Sequence, residues 1–418
     1  MGPMMNQEEK TYQVELTTFT YGGEALGRLP DGRAVFVPYA IPGEEVRIRL
    51  TEDKERYARG EIVEVLHESP MRIEARCKHF GVCGGCHYQH MPYDEQLKAK
   101  RDILEDQLQR IGGITDPAVA ETVPSPQPWM YRNRMQFHLT DDGQLGFKKL
   151  RSDEVFAIDE CHLPEEVLDL IWPVLDLDVL SGLNRIRLRS GEKEEDVLLI
   201  LESEEPEPIQ FELDLPISAV HRGPGGQIVL SGDEFTINDI HGFPFVVSAG
   251  SFFQTNSEVT EVMLDHIFDE IELREDMVVL DAYCGVGLFS VFFAREVERV
   301  VGVEASPSAA EDYMHNLSEF EGVELYEARV EDVLPHITLA PDLILVDPPR
   351  AGLEGEVVDA ILEMAPGRLI YVSCDPATLA RDAKRFGKGG MHLEKSIPFD
   401  MFPQTYHIES VNYFRPQS

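Results

Sequence analysis

Between residues 9 and 67, short apolar runs alternate with turn residues: Tyr12 to Phe19, Ala34 to Val37, Val46 to Leu50 and Gly60 to Leu66, broken by Gly22-Gly23 and Pro42-Gly43. Several short strands in so few residues predict a small β-barrel of OB type. From Tyr93 to Ile111 the rhythm is helical, with Leu97, Ile103 or Leu104, Leu108 and Ile111 near one face and Gly112-Gly113 ending it. Residues 117–128 are proline-rich and read as a connector. Residues 131–249 are mostly β in pattern, with hairpin turns at Asp142-Gly143 and at 223–226 and an acidic loop over 202–212.

After Glu258 the pattern becomes helix, strand, helix, strand. Val278-Val279-Leu280, Val300 to Val303, Leu343 to Val346 and Leu369 to Val372 are buried-strand runs separated by helical stretches. That alternation predicts a doubly wound, mostly parallel sheet with its ligand site at the carboxyl ends of the strands. Asp281, Glu304, Asp347 and Cys374 all fall at such ends.

Composition narrows this to a folded, soluble chain. The 418 residues suffice for two or three domains, 43% are hydrophobic and 27% charged, and no apolar run approaches the roughly 18 residues that span a bilayer. A polar start predicts a cytoplasmic protein with no membrane partner. The net charge of -39 argues against a polyanion as partner, because phosphates are normally met by Lys and Arg. Cations nevertheless cluster in 28–59 and 132–151.

Six cysteines in such a chain point away from disulfides. Cys77, Cys83 and Cys86 form a C-x5-C-x2-C run rich in glycine, and with Cys161 they predict a metal or cluster site. Spacing leaves a tetrahedral zinc site and an iron-sulfur cluster both open.

The chemistry-bearing residues lie in the last third. Gly285 and Gly287 permit a tight turn after a strand, and Glu304, ending the next strand, is placed to accept hydrogen bonds from ribose hydroxyls. Ser290 stands where a dinucleotide site has its third glycine, and with the later D-P-P-R run this favours a class I S-adenosylmethionine site. Cys374 lies between a strand and a helix started by Asp375-Pro376, where unpaired N–H groups and the helix dipole are expected to favour the thiolate.

The stretch YGGEALGRLPDGRAVFVPYAIPGEEVRI resembles a TRAM domain, an RNA-binding OB-like module. From about residue 10 to the end, the chain resembles the bacterial RNA uracil-C5 methyltransferases that make 5-methyluridine, in their iron-sulfur and TRAM-containing branch. The residues that carry the likeness are the cysteine set, FFQTN at 252–256, LDAYCGVG at 280–287, DPPRAGL at 347–353, SCDPATLARD at 373–382 and FPQTYHIESV at 402–411.

The resemblance implies a multidomain α/β protein. It has a TRAM barrel at 9–67, a central, mostly β iron-sulfur and RNA-binding domain at 68–250, and a class I (Rossmann-like) methyltransferase domain at 251–418, on which the helix 93–111 is expected to pack. It implies Cys374 as nucleophile, Glu409 as general base, and Gln254, Tyr283, Gly285, Gly287, Glu304 and Asp347 around the cofactor or substrate. Leu288 stands where some relatives place Asn, which removes any contact of that side chain. The resemblance favours a [4Fe-4S] cluster on Cys77, Cys83, Cys86 and Cys161; the candidate RNA contacts are Arg28 and Arg47 on the barrel, and Arg132, Arg134 and Lys148 in runs that mix cationic, amide and aromatic side chains. The expected partner is 23S ribosomal RNA, with the T loop of transfer RNA as the alternative, and the expected state is a monomer. A noncatalytic RNA-binding or chaperone-like module with a structural metal is the reading of another class.

Overall fold

A computed structural model describes residues 10–175, 182–193, 196–204 and 215–417. Strands β1 (Thr11–Thr20), β2 (Glu24–Arg28), β3 (Ala34–Pro38), β4 (Glu45–Asp53) and β5 (Tyr57–His67) close a barrel in the order β1-β2-β3-β5-β4. Alternation explains it: Val14, Leu16, Val35, Val37, Val46 and Ile48 point inward and are buried, while their neighbours stay at the surface. Gly22 and Gly23 take left-handed backbone in the β1–β2 turn. A Cβ on Gly23 would come within 3.0 Å of the His87 Cβ, so this turn is seated against the cysteine segment.

Helix α1 (Tyr93–Arg110) buries Leu104 and Leu108 in a cluster with Leu379, Ala380 and Ala383 of the C-terminal domain. Lys100, on the same helix, is fully buried against Asp400 at 2.5 Å and also donates to the Phe402 carbonyl at 3.0 Å. The proline-rich connector then runs along a C-terminal strand, Val119 and Val123 bridging to Ser396 and Phe399.

The middle of the chain forms a seven-stranded sheet from β6 (Arg134–Leu139), β7 (Leu145–Lys148), β8 (Val155–Ala157), β9 (Leu183–Ser190), β10 (Val197–Ser203), β11 (Ser218–Gly223) and β12 (Gly226–Ser231). Its order is β12-β11-β10-β9-β6-β7-β8. A short helix, α2 (Glu166–Ile171), packs on it through Leu168, and the hairpin β13 (Phe235–Ile240) and β14 (Phe243–Ser248) leads onward. Of the acidic loop, residues 205–212 lie outside the described residues.

The C-terminal domain alternates α3 (Ser257–Glu270), β15 (Val278–Ala282), α4 (Leu288–Phe293), β16 (Arg299–Glu304), α5 (Pro307–Asn316), β17 (Val323–Glu327), α6 (Val330–Val333), β18 (Leu343–Val346), α7 (Gly355–Met364), β19 (Arg368–Ser373) and α8 (Pro376–Lys388), then closes with β20 (Met391–Phe399) and β21 (Glu409–Pro416). The sheet order is β17-β16-β15-β18-β19-β21-β20, with β21 antiparallel to both its neighbours and the first five strands parallel. β18 reads LILV with every residue buried, as a parallel strand covered on both faces demands. No helix among the described residues is long and apolar enough to cross a membrane.

Candidate active site

The carboxyl ends of β15, β16, β18 and β19 converge. After β15, Tyr283 has φ 65°, a left-handed conformation that costs a bulky residue of order 1 kcal/mol or more, and Gly285 and Gly287 follow at φ 54° and 92°. Only glycine fits at 287, where a Cβ would lie 2.4 Å from Leu317, whereas Gly285 faces open space into which a ligand can reach. The Gly285 N–H donates to Glu304 Oε2 at 2.9 Å, and the Ser306 N–H donates to the other oxygen at 2.7 Å. Tyr283 donates its hydroxyl to Glu331 Oε1 at 2.8 Å. Ser290, at the position of the missing third glycine, donates to the buried Asp281 at 2.6 Å. Burial pushes that carboxyl up to about 7. This cradle suits a nucleoside-bearing cofactor such as S-adenosylmethionine.

Antiparallel pairing explains how a residue near the C-terminus reaches Cys374. Ser373 pairs with Ser410, so Glu409, first residue of β21, lies beside the end of β19. Asp347, just beyond β18, is the neighbour on the other side. Glu409 is buried, and burial followed by the Asp347 charge raises its pKa well above the ordinary value. Asp347 is likewise raised by burial and by Asp281.

The expectation of a ready thiolate at Cys374 is overturned. Burial, then Glu409 and Asp347, push the thiol up to about 12. The helix end that was to favour the thiolate is already taken, because Asp375 accepts from the Ala377 and Thr378 N–H groups at 3.0 Å and adds its own negative charge. Opposing these carboxylates is Arg350, which lowers both Cys374 and Glu409. Arg350 was legible as the last residue of D-P-P-R but was not singled out as a site residue.

Gln254 lies in the segment entering α3: its carbonyl accepts from Asn133 Nδ2 at 2.9 Å, which ties the central domain to this segment. Next to it, Phe252 is exposed, with the Arg134 guanidinium 5.6 Å over its ring.

Cys77, Cys83, Cys86 and Cys161 are free thiols that line a single cavity of about 510 Å³ together with Arg132, Arg134, Lys148 and His407. Burial pushes Cys86 up to about 12 and Cys161 to about 11, and Arg132 is the cation that opposes this at Cys83, Cys86 and Cys161. Among the described residues no three His, Cys, Asp or Glu side chains lie close enough together to hold one metal ion. His407, which lines the cavity, precedes Glu409 by two residues. Of the five residues expected to touch RNA, Arg132, Arg134 and Lys148 thus meet in one place, while Arg28 and Arg47 lie apart on the barrel. Arg47 is paired with Glu64 there, and Arg28 donates to the Gly32 carbonyl at 3.3 Å.

Comparison with known proteins agrees with the fold. A family model for the TRAM domain matches residues 6–63, and the model described as tRNA (Uracil-5-)-methyltransferase matches residues 209–333 and 329–415. An uncharacterized RNA methyltransferase of Halalkalibacterium halodurans is 34% identical, covering 96% of this chain and 95% of its own length. One of Thermotoga maritima is 33% identical, over 95% and 97%. Among solved structures, the Pyrococcus abyssi tRNA (uracil-54, C5)-methyltransferase in complex with S-adenosyl-L-homocysteine superposes with a TM-score of 0.73 at 26% identity, over 96% of this chain and 100% of that one.

Proposed function

We propose that this chain, which belongs to the TRAM-containing branch of the RNA uracil-5-methyltransferase family, methylates C5 of a specific uridine through a covalent adduct at Cys374. It is an S-adenosylmethionine-dependent RNA methyltransferase; the covalent route and the target are our reading. The observation that carries it is the meeting of Cys374, Glu409, Asp347 and Arg350 at strand ends beside the glycine turn.

Uracil C5 is a weak nucleophile. The Cys374 thiol gives up its proton to solvent, the resulting thiolate sulfur adds to C6, and the displaced electron pair makes C5 an enolate carbon. Tyr283, Gly285, Gly287, Glu304 and Asp347 would hold S-adenosylmethionine, whose sulfonium would supply an electrophilic methyl group. Once C5 has taken it, the Glu409 carboxylate removes the C5 proton and the C6–S bond breaks, returning the thiolate. The uridine must be unpaired or flipped out to be reached, and Gln254 is proposed with the residues that bind cofactor or substrate. One chain supplies every group in this scheme, which supports a monomer, acting in the cytoplasm. In this division of labour 9–67 and 68–250 hold RNA and 251–418 carries the chemistry.

For the four cysteines, which line one cavity, we favour an iron-sulfur cluster over zinc from the likeness to the cluster-bearing branch. Its role would be to hold the RNA-facing surface in shape. Anaerobically purified protein is expected to be brown, with iron and sulfide in equal amounts; colourless, zinc-loaded protein would exclude the assignment. For the target we favour 23S ribosomal RNA, from the likeness to the cluster-bearing branch; the Pyrococcus abyssi structure favours transfer RNA as the second reading. Mapping 5-methyluridine in both RNAs from a deletion strain separates them.

Denaturing gels with labelled RNA and S-adenosylmethionine test the chemistry. Cys374→Ala is expected to lose methylation and every covalent complex. Glu409→Gln still adds and methylates but stalls, leaving methylated RNA joined to protein. RNA containing 5-fluorouridine traps the wild type in the same way, since fluorine cannot leave as a cation. A covalent band that survives loss of Cys374 would move the nucleophile elsewhere.

A further inference from the structure

The tip of the first barrel hairpin reaches the nucleophile's own turn. Tyr21 donates its hydroxyl to the Cys374 carbonyl at 3.5 Å, across 353 positions of sequence, and is the one donor that reaches that carbonyl among the described residues. The ring of Tyr21 meets Tyr406 edge-on, with centroids 5.6 Å apart, in the segment that leads to Glu409. Burial and the neighbouring Asp375 carboxylate, which also hydrogen-bonds the hydroxyl, both raise the phenol's pKa, so Tyr21 stays neutral and its one proton is shared between the Cys374 carbonyl and Asp375, both in the nucleophile's turn.

The hairpin is held in place on both flanks. Gly23 abuts His87, and the buried Glu24 pairs with Arg151 of the central domain at 2.5 Å and with Arg59 of the barrel. On its inner side the Cys374 turn is braced by Ser373, whose hydroxyl donates to the Asp375 carbonyl at 3.1 Å. On its outer side, toward the barrel, the brace is Tyr21.

We propose that Tyr21 is a positioning residue for Cys374: through the nucleophile's backbone carbonyl it fixes the turn from which the thiol is presented, making the N-terminal barrel part of the active site. This rests on Cys374 being the nucleophile. Only Cys374 and Asp375 lie between β19 and α8, so the carbonyl of Cys374 is a direct handle on the turn, and a reacting sulfur displaced by a fraction of an ångström attacks C6 poorly. A barrel that binds RNA and also braces the thiol makes correct docking a condition for attack.

The test is the single-turnover rate of adduct formation at saturating RNA, using whichever 5-fluorouridine transcript, 23S ribosomal or transfer RNA, the wild type traps. Tyr21→Phe keeps the ring on Tyr406 and removes only the donor. It is expected to slow adduct formation about fivefold, the worth of one net hydrogen bond, with RNA Kd unchanged. Tyr21→Leu removes ring and donor together and is expected to slow it at least as much. A packing role would instead let Tyr21→Phe behave as wild type while Tyr21→Leu failed, which would overturn the proposal. A change confined to RNA Kd would overturn it as well. If the wild type formed no adduct at all, the covalent reading would fail first, independently of Tyr21.

Discussion

At the scale of single residues, the surroundings of Cys374, the nucleophile we propose, favour its protonated form. A thiol pushed up to about 12 is almost entirely neutral near pH 7, so burial and the two carboxylates suppress the reactive form until positive charge arrives. S-adenosylmethionine brings a sulfonium cation to the ends of these strands. Alkylation of Cys374 by iodoacetamide is therefore expected to be slow in the free protein and to rise without a plateau up to pH 10. It is expected to be faster with S-adenosylmethionine than with S-adenosylhomocysteine, whose sulfur is uncharged. Equal rates with both ligands, or a plateau near pH 8, would refute this account. The sequence could place Cys374 at a strand end because the run Leu369 to Val372 and the Asp375-Pro376 start are local signals. It could not give the thiol's state, because Glu409 arrives by antiparallel pairing and Asp347 from another strand. Tyr21 was missed for the same reason, since nothing local marks a residue that acts by where the fold brings it, whereas Arg350 stood in the D-P-P-R run and only its charge facing Cys374 and Glu409 needed the fold.

At the scale of elements, periodicity located the long strands and the doubly wound sheet, and it failed where closure decides. β2, in EALGR, has no β-branched or aromatic residue and reads as part of a turn, yet it is a strand because β1 and β3 pair with it on either side to complete the barrel. The amphipathic pattern gave the apolar face of α1 but not its strongest polar tie. Lys100 reads as a solvated charge in sequence and is fully buried on Asp400, just before the segment carrying Tyr406, His407 and Glu409. Breaking one side of such a pair leaves a buried charge alone, so Lys100→Met is expected to destabilise by about 3–5 kcal/mol. Replacing both, Lys100→Met with Asp400→Leu, is expected to recover most of it. Urea unfolding measures the two, and a single substitution as stable as the double would show that the pair carries no such charge.

At the scale of the whole molecule, a chain with net charge -39 binds a polyanion only if its free cations are concentrated. The barrel arginines are largely spent at home: Arg33 pairs with Asp31 and Asp53, Arg47 with Glu64, Arg49 with Glu61, and Arg59 with Glu24 and Glu52. Arg132 and Arg134 make no ion pair among the described residues and face the cysteine-lined cavity. A cation already neutralised by a carboxylate gains little from a phosphate, since that carboxylate must first be released into water. The salt dependence of RNA affinity is thus expected to reside in the central domain. Arg132→Ala and Arg134→Ala are each expected to lower the slope of log affinity against log salt by about 0.7 to 1, the amount for one phosphate contact. Arg47→Ala is expected to leave the slope nearly unchanged. Filter binding over a range of salt concentrations reads all three. A full unit lost from Arg47→Ala, with none from Arg132→Ala or Arg134→Ala, would return the electrostatic grip on RNA to the barrel.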